Sequence, residues 1–536
     1  VKKVIIIILS YSLVFVVGYL TVGIILHFAK PEVKMLPAFI ENALPEVEKE
    51  DQLSLQQQSL EGMDYRLLTP ADFDTTVPIY FNEHYNEENG IFCFRGNAQR
   101  NRPTRGTISG KPTTIELDWV FETAYDSRMT DFGVWGGGSG WTGQPLVIRW
   151  PEEQRNRLFE LDPTYLNQEH FKEVIVGSLS GNIYFLDFET GKATRPHLSI
   201  GNPIKGTVSV DPSMNGLMTV GQGIPNGDRF GAYLFDLFAG KEMDYRAGMD
   251  PTSRRLWGAH DSNPLFDAET GALFWPAENG QIYKTIISSD RTFGATQKFN
   301  YGVQQHPDLG LEASMGAFKN LGFFGDNGGN VFCLNLTTMR PVWLFDNIDD
   351  TDASLVIETE GKTPFLYLGN EVDKQGPTGT AYIRKLNALT GKEQWHFSRP
   401  CSGSNVGGKA NSGGVLATVL PGKEKAKGLV FGIFSRPNGT MKGEFVAIDK
   451  ETGKERYTIP MDAYSWASPI DLYDKKGNCY IFFTDVYGTI YLIDGVTGAI
   501  IHKEKTSYVF ESSPVAWGNR IVVGTRGKTI LSFLVK

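Results

Sequence analysis

Carboxylates, lysines and aromatic residues gather in several short runs of the sequence, separated by long apolar stretches. Trp141 and Gln144 lie in GGGSGWTGQ, Lys205 precedes Thr207, and RRLWGAHDSN carries Trp257, His260, Asp261 and Asn263. Further along come Glu312 with Ser314, then Asp349, Asp350 and Asp352, Lys409 and Asn411 in GGKANSGG, Tyr464 with Trp466, and Glu511 with Ser512. An aromatic face beside acids suits a sugar or a cation, because the ring covers one side of the ligand while the carboxylates accept its hydrogen bonds. His260 and Asp261 are adjacent, which reads as a turn and not as a catalytic pair, and no catalytic residue is expected. Asp349 to Asp352 offers the oxygen ligands Ca²⁺ prefers without the DxDxDG spacing of a calcium loop, so the metal content is left open. There is no HExxH, no GxSxG and no phosphate loop, and no helical pattern follows the run Gly137 to Gly140.

These runs fall at regular places because the chain is internally repetitive. A strand ending in an acid or amide and followed by a TG turn recurs as GNIYFLDFETGK, GAYLFDLFAGK, GNVFCLNLTTMR, AYIRKLNALTGK, GEFVAIDKETGK and GTIYLIDGVTGA, with a degenerate copy in NGQIYKTIISSD. The acid or amide position falls at Asp187, Asp236, Ile286, Asn335, Asn387, Asp449 and Asp494, and GKTILSFLVK supplies an eighth copy with Phe533 there. Ahead of each such strand lie an opening strand with a small residue or proline, as in NPLFD or SPIDL, and a second strand ending near glycine. After the TG turn comes a fourth, often aromatic strand, as in PVWLFD and EQWHFS. Four antiparallel strands in about 50 residues is the unit of a β-propeller blade.

The ends of the chain are offset by one strand. The last unit stops after its third strand, while LDWVFET around Trp119 reads as a fourth strand with no unit before it. The expectation is an all-β, eight-bladed β-propeller of four-stranded antiparallel blades, closed by residues 113–123 in the last blade. The connections from each outer strand to the next inner strand then converge on one mouth of the channel. They bring together Trp141, Gln144, Lys205, Trp257, His260, Asp261, Glu312, Asp350, Asp352, Lys409, Asn411, Trp466 and Glu511 as a candidate ligand site. The insertion from Arg149 to Lys172 is expected to be helical surface decoration.

The D-x-x-TG-[KA] unit, the SP-type opening strand and the preceding FRGNAQRNRPTRG resemble the quinoprotein-like propellers, over residues 94–536. That family includes the pyrroloquinoline quinone (PQQ) dehydrogenases and non-enzymatic members such as the propeller lipoprotein of the outer-membrane β-barrel assembly machinery. In its enzymatic branch the resemblance implies a quinone stacked between a tryptophan and a vicinal disulfide, with Ca²⁺ held by Glu and Asn and an Asp base. The four cysteines here, at 93, 333, 401 and 479, include no adjacent pair, and there is no CxxCH. The expectation is therefore a non-catalytic binding or assembly scaffold with no cofactor. A PQQ- and calcium-dependent oxidoreductase and a glycan or cell-wall binding module are the alternatives. The arginines Arg95, Arg100, Arg102 and Arg105 are expected to pin the entering segment to the propeller.

Residues 4–26 hold no charge and, as a helix, are long enough to span the roughly 30 Å hydrocarbon core. Lys2 and Lys3 precede them, which would keep that end cytoplasmic and place the remainder across the membrane. The expected organisation is a membrane anchor over 1–30, a spacer rich in proline, acid and glutamine over 31–93, and a propeller over 94–536. That makes the protein extracytoplasmic, with the cell membrane as one partner and an envelope protein or a polar or glycan ligand at the mouth as another. A net charge of −9 disfavours a nucleic-acid partner, which needs a basic face, and none is expected. Fifty-nine glycines among 536 residues, with 41% hydrophobic residues, fit many short strands joined by tight turns around a large core.

Overall fold

The TG turns close as the repeat demands. In a computed structural model, which describes residues 53, 59–82, 84–141, 143–403 and 413–536, the acid or amide opening each turn accepts backbone N–H groups three residues on. Asp187 Oδ1 takes Thr190 N at 2.8 Å, Asp449 Oδ1 takes Thr452 N at 2.9 Å, and Asp494 Oδ1 takes Thr497 N at 2.9 Å. The glycine that ends the turn adopts φ of +69° at Gly191 and +68° at Gly391, a conformation that costs side-chain-bearing residues dearly.

The described chain is all-β, built of antiparallel sheets that follow one another along the sequence in a propeller-like plan. The first sheet orders Leu146–Arg149, Lys172–Gly177, Asn182–Asp187 and Leu198–Ser199 from inside to outside. The second (209–247), third (265–303), fourth (316–346), fifth (356–402), sixth (413–461) and seventh (470–505) repeat that order. The last sheet has Val515–Trp517, Arg520–Gly524 and Thr529–Val535. Its outer strand is Ile115–Glu122, paired antiparallel from Ile115 opposite Val535 to Glu122 opposite Thr529. The strand left over at the start of the repeats thus completes the sheet left short at the end.

Two sets of contacts hold the sheets side by side. The first is an aromatic latch. Trp343, in the outer strand of the fourth sheet, donates its indole N–H to Ala388 O of the fifth at 3.0 Å, and Trp395 does the same to Lys450 O of the sixth at 2.8 Å. Each ring lies on the turn glycine of the next sheet: a Cβ on Gly391 would sit 2.7 Å from Trp343, and one on Gly453 2.8 Å from Trp395. Trp119 repeats the arrangement across the joint between last and first sheets, donating to Phe188 O at 3.2 Å and covering Gly191.

The second set is a belt at the start of the inner strands. Gln144 N donates to Thr207 Oγ1 (2.8 Å), Asn263 N to Ser314 Oγ (2.9 Å), Ser314 N to Ser354 Oγ (3.0 Å) and Ser354 N to Thr418 Oγ1 (3.2 Å). Thr418 N continues to Ser468 Oγ and Ser468 N to Ser513 Oγ, both at 3.0 Å. Ser513 N returns to Gly143 O at 2.9 Å, and Asn263 Nδ2 bridges back to Thr207 O at 2.9 Å. Before six of the inner strands the small residue is thus a hydroxyl that receives the N–H of the preceding sheet, while Gly143 O and the Asn263 amide serve the other two joints.

Below this belt the channel is filled by the arginine-rich segment. Inner strands present unpaired edges to the channel, and the segment satisfies them one after another. Phe92 O accepts Val210 N, Ala98 O accepts Ala317 N, Gln99 O accepts Ile357 N, and Thr104–Arg105 runs parallel to Ala516–Trp517. Arg95 and Arg100 are wholly buried and find carbonyls in place of carboxylates. Arg95 donates to Pro469 O at 2.7 Å and Arg100 to Met315 O at 2.8 Å and Asn263 O at 2.9 Å. Burial alone brings the Arg95 pKa down to about 10. Arg102, by contrast, is half-exposed and pairs with Glu87 at 3.3 Å.

Two stretches differ from the sequence reading. Part of the expected spacer is integral to the folded body: Met63–Leu68 adds an outermost strand to the third sheet, and Ile79, Phe81 and Tyr85 are buried. Ile79 and Phe81 belong to the short apolar run VPIYF, which is too brief beside the surrounding polar residues to stand out as an element of its own. The insertion 149–172 contains only one helical turn, Glu152–Arg155, and a 3₁₀ turn, Pro163–Tyr165. It is packed in place, with Trp150, Leu158 and Phe171 buried and Phe159 N bonded to Leu237 O of the second sheet at 3.2 Å. The proposed anchor lies outside the described residues, among which no helix is long and apolar enough to cross a membrane.

Candidate functional site

Because neighbouring strands alternate in direction, connections between sheets and turns between second and third strands open at the same end. Six acids from these segments meet there: Asp261, Glu278, Glu312, Asp350, Asp352 and Glu371. All but Glu312 are at least nine-tenths buried. Asp261, Glu278 and Glu312 each bring one oxygen within 4.8 Å of the others, and Trp141, Asp261, Glu312 and Asp352 line a narrow cleft. One buried oxygen each of Glu278, Asp350, Asp352 and Glu371 finds no hydrogen-bond donor.

Among the described residues, two lysines answer this charge. Lys205 is buried, ion-paired with Asp261, 3.9 Å from Glu312, and seated 4.3 Å from the centre of the Trp141 ring. Burial works against its charge, but Asp261, Glu312 and Glu278 outweigh it and hold the ammonium protonated. Lys374, at the rim, lies 4.0 Å from Asp350 and 2.5 Å from Asp373. The acids remain in excess. Burial, then Glu312, raises Asp352 to about 8, and burial with neighbouring carboxylates pushes Asp350, Glu371 and Glu278 well above the usual range. A site so arranged attracts cations, organic or metallic, and releases protons as they bind.

The candidate residues divide into five groups. Trp141, Lys205, Asp261, Glu312, Asp350 and Asp352 come together as the crescent, and Trp466 packs against Trp141 with centroids 4.7 Å apart. Trp257 stands beside it, donating its indole N–H to Glu278 at 2.9 Å, with its ring edge-on to Phe132 and Phe230. Glu511 sits to one side, 3.5 Å from Arg526, its pKa raised by burial. Gln144 and His260 face elsewhere. Gln144 Oε1 accepts Arg95 N of the channel-filling segment at 3.2 Å. His260 turns into the third sheet against Trp275 and Tyr283, where burial lowers its pKa to about 4. Lys409 and Asn411 lie outside the described residues. Asp349, next to the crescent in sequence, caps the N–H groups of Asp373 and Lys374 at 2.9 Å instead.

Glu278 and Glu371 are the members that the sequence reading lacks. They sit between second and third strands, in PAENGQ and GNEVDK, a set of turns that opens at the same end as the sheet-to-sheet connections from which the candidate residues are drawn.

Solved structures similar to this chain include BamB, a methanol dehydrogenase and a quinohemoprotein alcohol dehydrogenase. BamB from Moraxella catarrhalis is 15% identical, over 74% of this chain and 99% of its own, with a TM-score of 0.46. A europium-containing methanol dehydrogenase is 13% identical over 84% of this chain and 99% of its own, with a TM-score of 0.44. The quinohemoprotein alcohol dehydrogenase of Comamonas testosteroni is 12% identical over 84% and 81%, with a TM-score of 0.42. No family model and no curated protein matches the chain. At these identities the likeness concerns the fold alone, and no functional reading rests on it.

The quinone that the sequence resemblance implies for an enzymatic member does not fit these donors. PQQ carries carboxylates of its own, which would meet the acidic crescent. The Trp141 ring is already engaged by Lys205 and Trp466, and the four cysteines are buried, free and separate. A hard cation bound by carboxylate oxygens suits the same donors.

Proposed function

We propose that the chain is a membrane-anchored, extracytoplasmic, eight-bladed β-propeller that acts as a non-catalytic binding scaffold, with its mouth taking a cation or the cationic part of a ligand. The observation that carries this reading is the excess of buried carboxylates over ammonium groups in the crescent from Asp261 to Glu371. Taking an ionised carboxylate out of water without a partner costs several kcal/mol, so the uncompensated acids are held either by shared protons or by a cation. The anchor is supported by the uncharged stretch 4–26, and the ring of eight by the belt and the strand pairing of 115–122.

The test is titration of the full chain at pH 8 with calcium chloride and, separately, with spermidine, followed by tryptophan fluorescence, since Trp141 and Trp466 border the cleft. A saturable change with either, lost in E312Q/D352N, is expected. No response to either cation overturns the site. Dye reduction on adding PQQ, Ca²⁺ and an alcohol or sugar overturns the non-catalytic reading.

A further inference from the structure

The mouth has an apolar as well as an acidic character. Exposed large apolar side chains concentrate at this end: Met129 is 75% exposed, Leu256 67%, Phe132 and Tyr487 53% each and Met249 49%. All of them lie in connections between sheets or in turns between second and third strands. At the opposite end, among the described residues, this class comprises Val496 in a turn and Leu117 and Ile500 at the start of outer strands. An apolar surface kept in water on one side of a molecule marks an interaction site more often than chance does.

Three of these residues lie on two segments that meet beside the crescent at the Phe132–Trp257 contact, and together they are the apolar ridge of the mouth. Asp126–Thr130 and Gly133–Gly138 make a ribbon that pairs with Arg526–Gly527 and leans over the mouth, Arg128 reaching Gly201 O. Met129 and Phe132 lie at the tip of the ribbon. Phe132 meets Trp257 edge-on at 5.6 Å, Leu256 precedes Trp257, and Trp257 is hydrogen-bonded to Glu278 of the crescent. Apolar ridge and carboxylates are therefore one indole apart.

We propose that this face docks a protein segment that is both apolar and basic, with its aliphatic or aromatic side chains on Met129, Phe132 and Leu256 and its lysines or arginines in the carboxylate crescent. The proposal rests on the cation-binding reading of the mouth and extends it from a charge to a macromolecule. Charge complementarity selects the occupant: a cationic side chain can replace the protons these acids share, whereas an anionic bilayer or an acidic or uncharged peptide brings nothing that answers them. Apolar contact supplies the attraction and the acids the orientation, as aromatic and basic anchors do at the centre of protein interfaces.

The experiment uses the full chain with a benzophenone photocrosslinker installed at Leu256 or, as a control, at Val496. The probe is a synthetic peptide of alternating leucine pairs and lysines, beside the same peptide with glutamate for lysine. Capture of the lysine peptide from position 256 should exceed that of the glutamate peptide, and that from position 496, by at least tenfold. M129S/F132S, both exposed and costing the fold nothing by melting temperature, should cut capture about tenfold, and E312Q/D352N should do likewise. Equal capture of the two peptides or at the two positions overturns the proposal, as does competition by phosphatidylcholine vesicles, which would make the ridge a lipid surface. Loss in E312Q/D352N with full capture in M129S/F132S sinks the docking ridge and leaves the cation site. The reverse pattern sinks the cation reading, and with it the basic half of the partner.

Discussion

Lys205 and Asp261 form an ion pair across two neighbouring connections of the mouth, with only 7% and 5% of their side chains exposed. Removing one partner of a buried pair strands the other. Lys205→Met should therefore destabilise the protein by about 3 kcal/mol at pH 8. The loss should be smaller at pH 5 than at pH 8, because burial holds the Asp261 carboxyl above its usual range and a protonated acid needs no ionic partner. Urea denaturation at the two pH values checks this, and equal losses would show that Asp261 is not the group left uncompensated.

Buried carboxylates inside and outside the crescent also set a pH dependence. Asp352 is raised to about 8 in the folded protein, Asp326 and Asp267 to about 7, each chiefly by burial, whereas in the unfolded chain such groups ionise near 4. Between these values the folded state binds more protons than the unfolded one. Stability is therefore full at about pH 4 and lost as pH rises toward 8. The melting temperature should be lower at pH 8 than at pH 5, and Asp352→Asn should flatten the slope without abolishing it. A melting temperature that rises over this window would contradict the assignment.

Arg95 holds the segment in the channel through backbone carbonyls of the seventh sheet and of Arg100, with no carboxylate among its hydrogen-bond partners. Arg95→Lys keeps the charge but cannot supply the fork that reaches both. A loss of about 2–4 kcal/mol in equilibrium denaturation is expected. A neutral result would mean that the segment is held by its main-chain pairing alone.

Trp119 and Trp343 make the same latch at different joints, one of them between the last and first sheets. Trp119→Ala and Trp343→Ala should each cost about 3–5 kcal/mol, measured by denaturant midpoint. If Trp119→Ala costs much less, the joint that closes the ring is looser than the others.

The strap before the channel segment belongs to the fold. Ile79 N donates to Thr337 Oγ1 at 3.0 Å, and Met63–Leu68 covers the outer edge of the third sheet. A chain beginning at residue 59 should keep the full melting temperature, and one beginning at residue 90 should lose several degrees. Identical melting for the two would show the strap to be dispensable.

What could be read in the sequence, and what could not, divides by the range of the forces involved. The TG turns were legible because an acid capping its own turn and a glycine at positive φ act within four residues. The strand around Trp119 was legible as the missing member of the last sheet because a strand count has to balance. His260 and Asp261 were not separable: adjacent residues on extended chain point to opposite sides, and which side meets the mouth depends on the neighbouring sheets. The serines and threonines before six of the inner strands read in the sequence only as small residues, yet each accepts an N–H some fifty residues away in sequence.

By itself the sequence determined the repeat, its offset ends and the connections that carry the chemistry, because turn caps, alternation and period are local properties. Only the tertiary structure decided which side chains share the mouth. Glu278 and Glu371 join the crescent, Gln144 and His260 leave it, and the arginine-rich segment fills the channel beneath. The reason is physical: burial, unpaired edges and charge balance depend on the elements brought together from distant parts of the chain, and these exist only once the ring has closed.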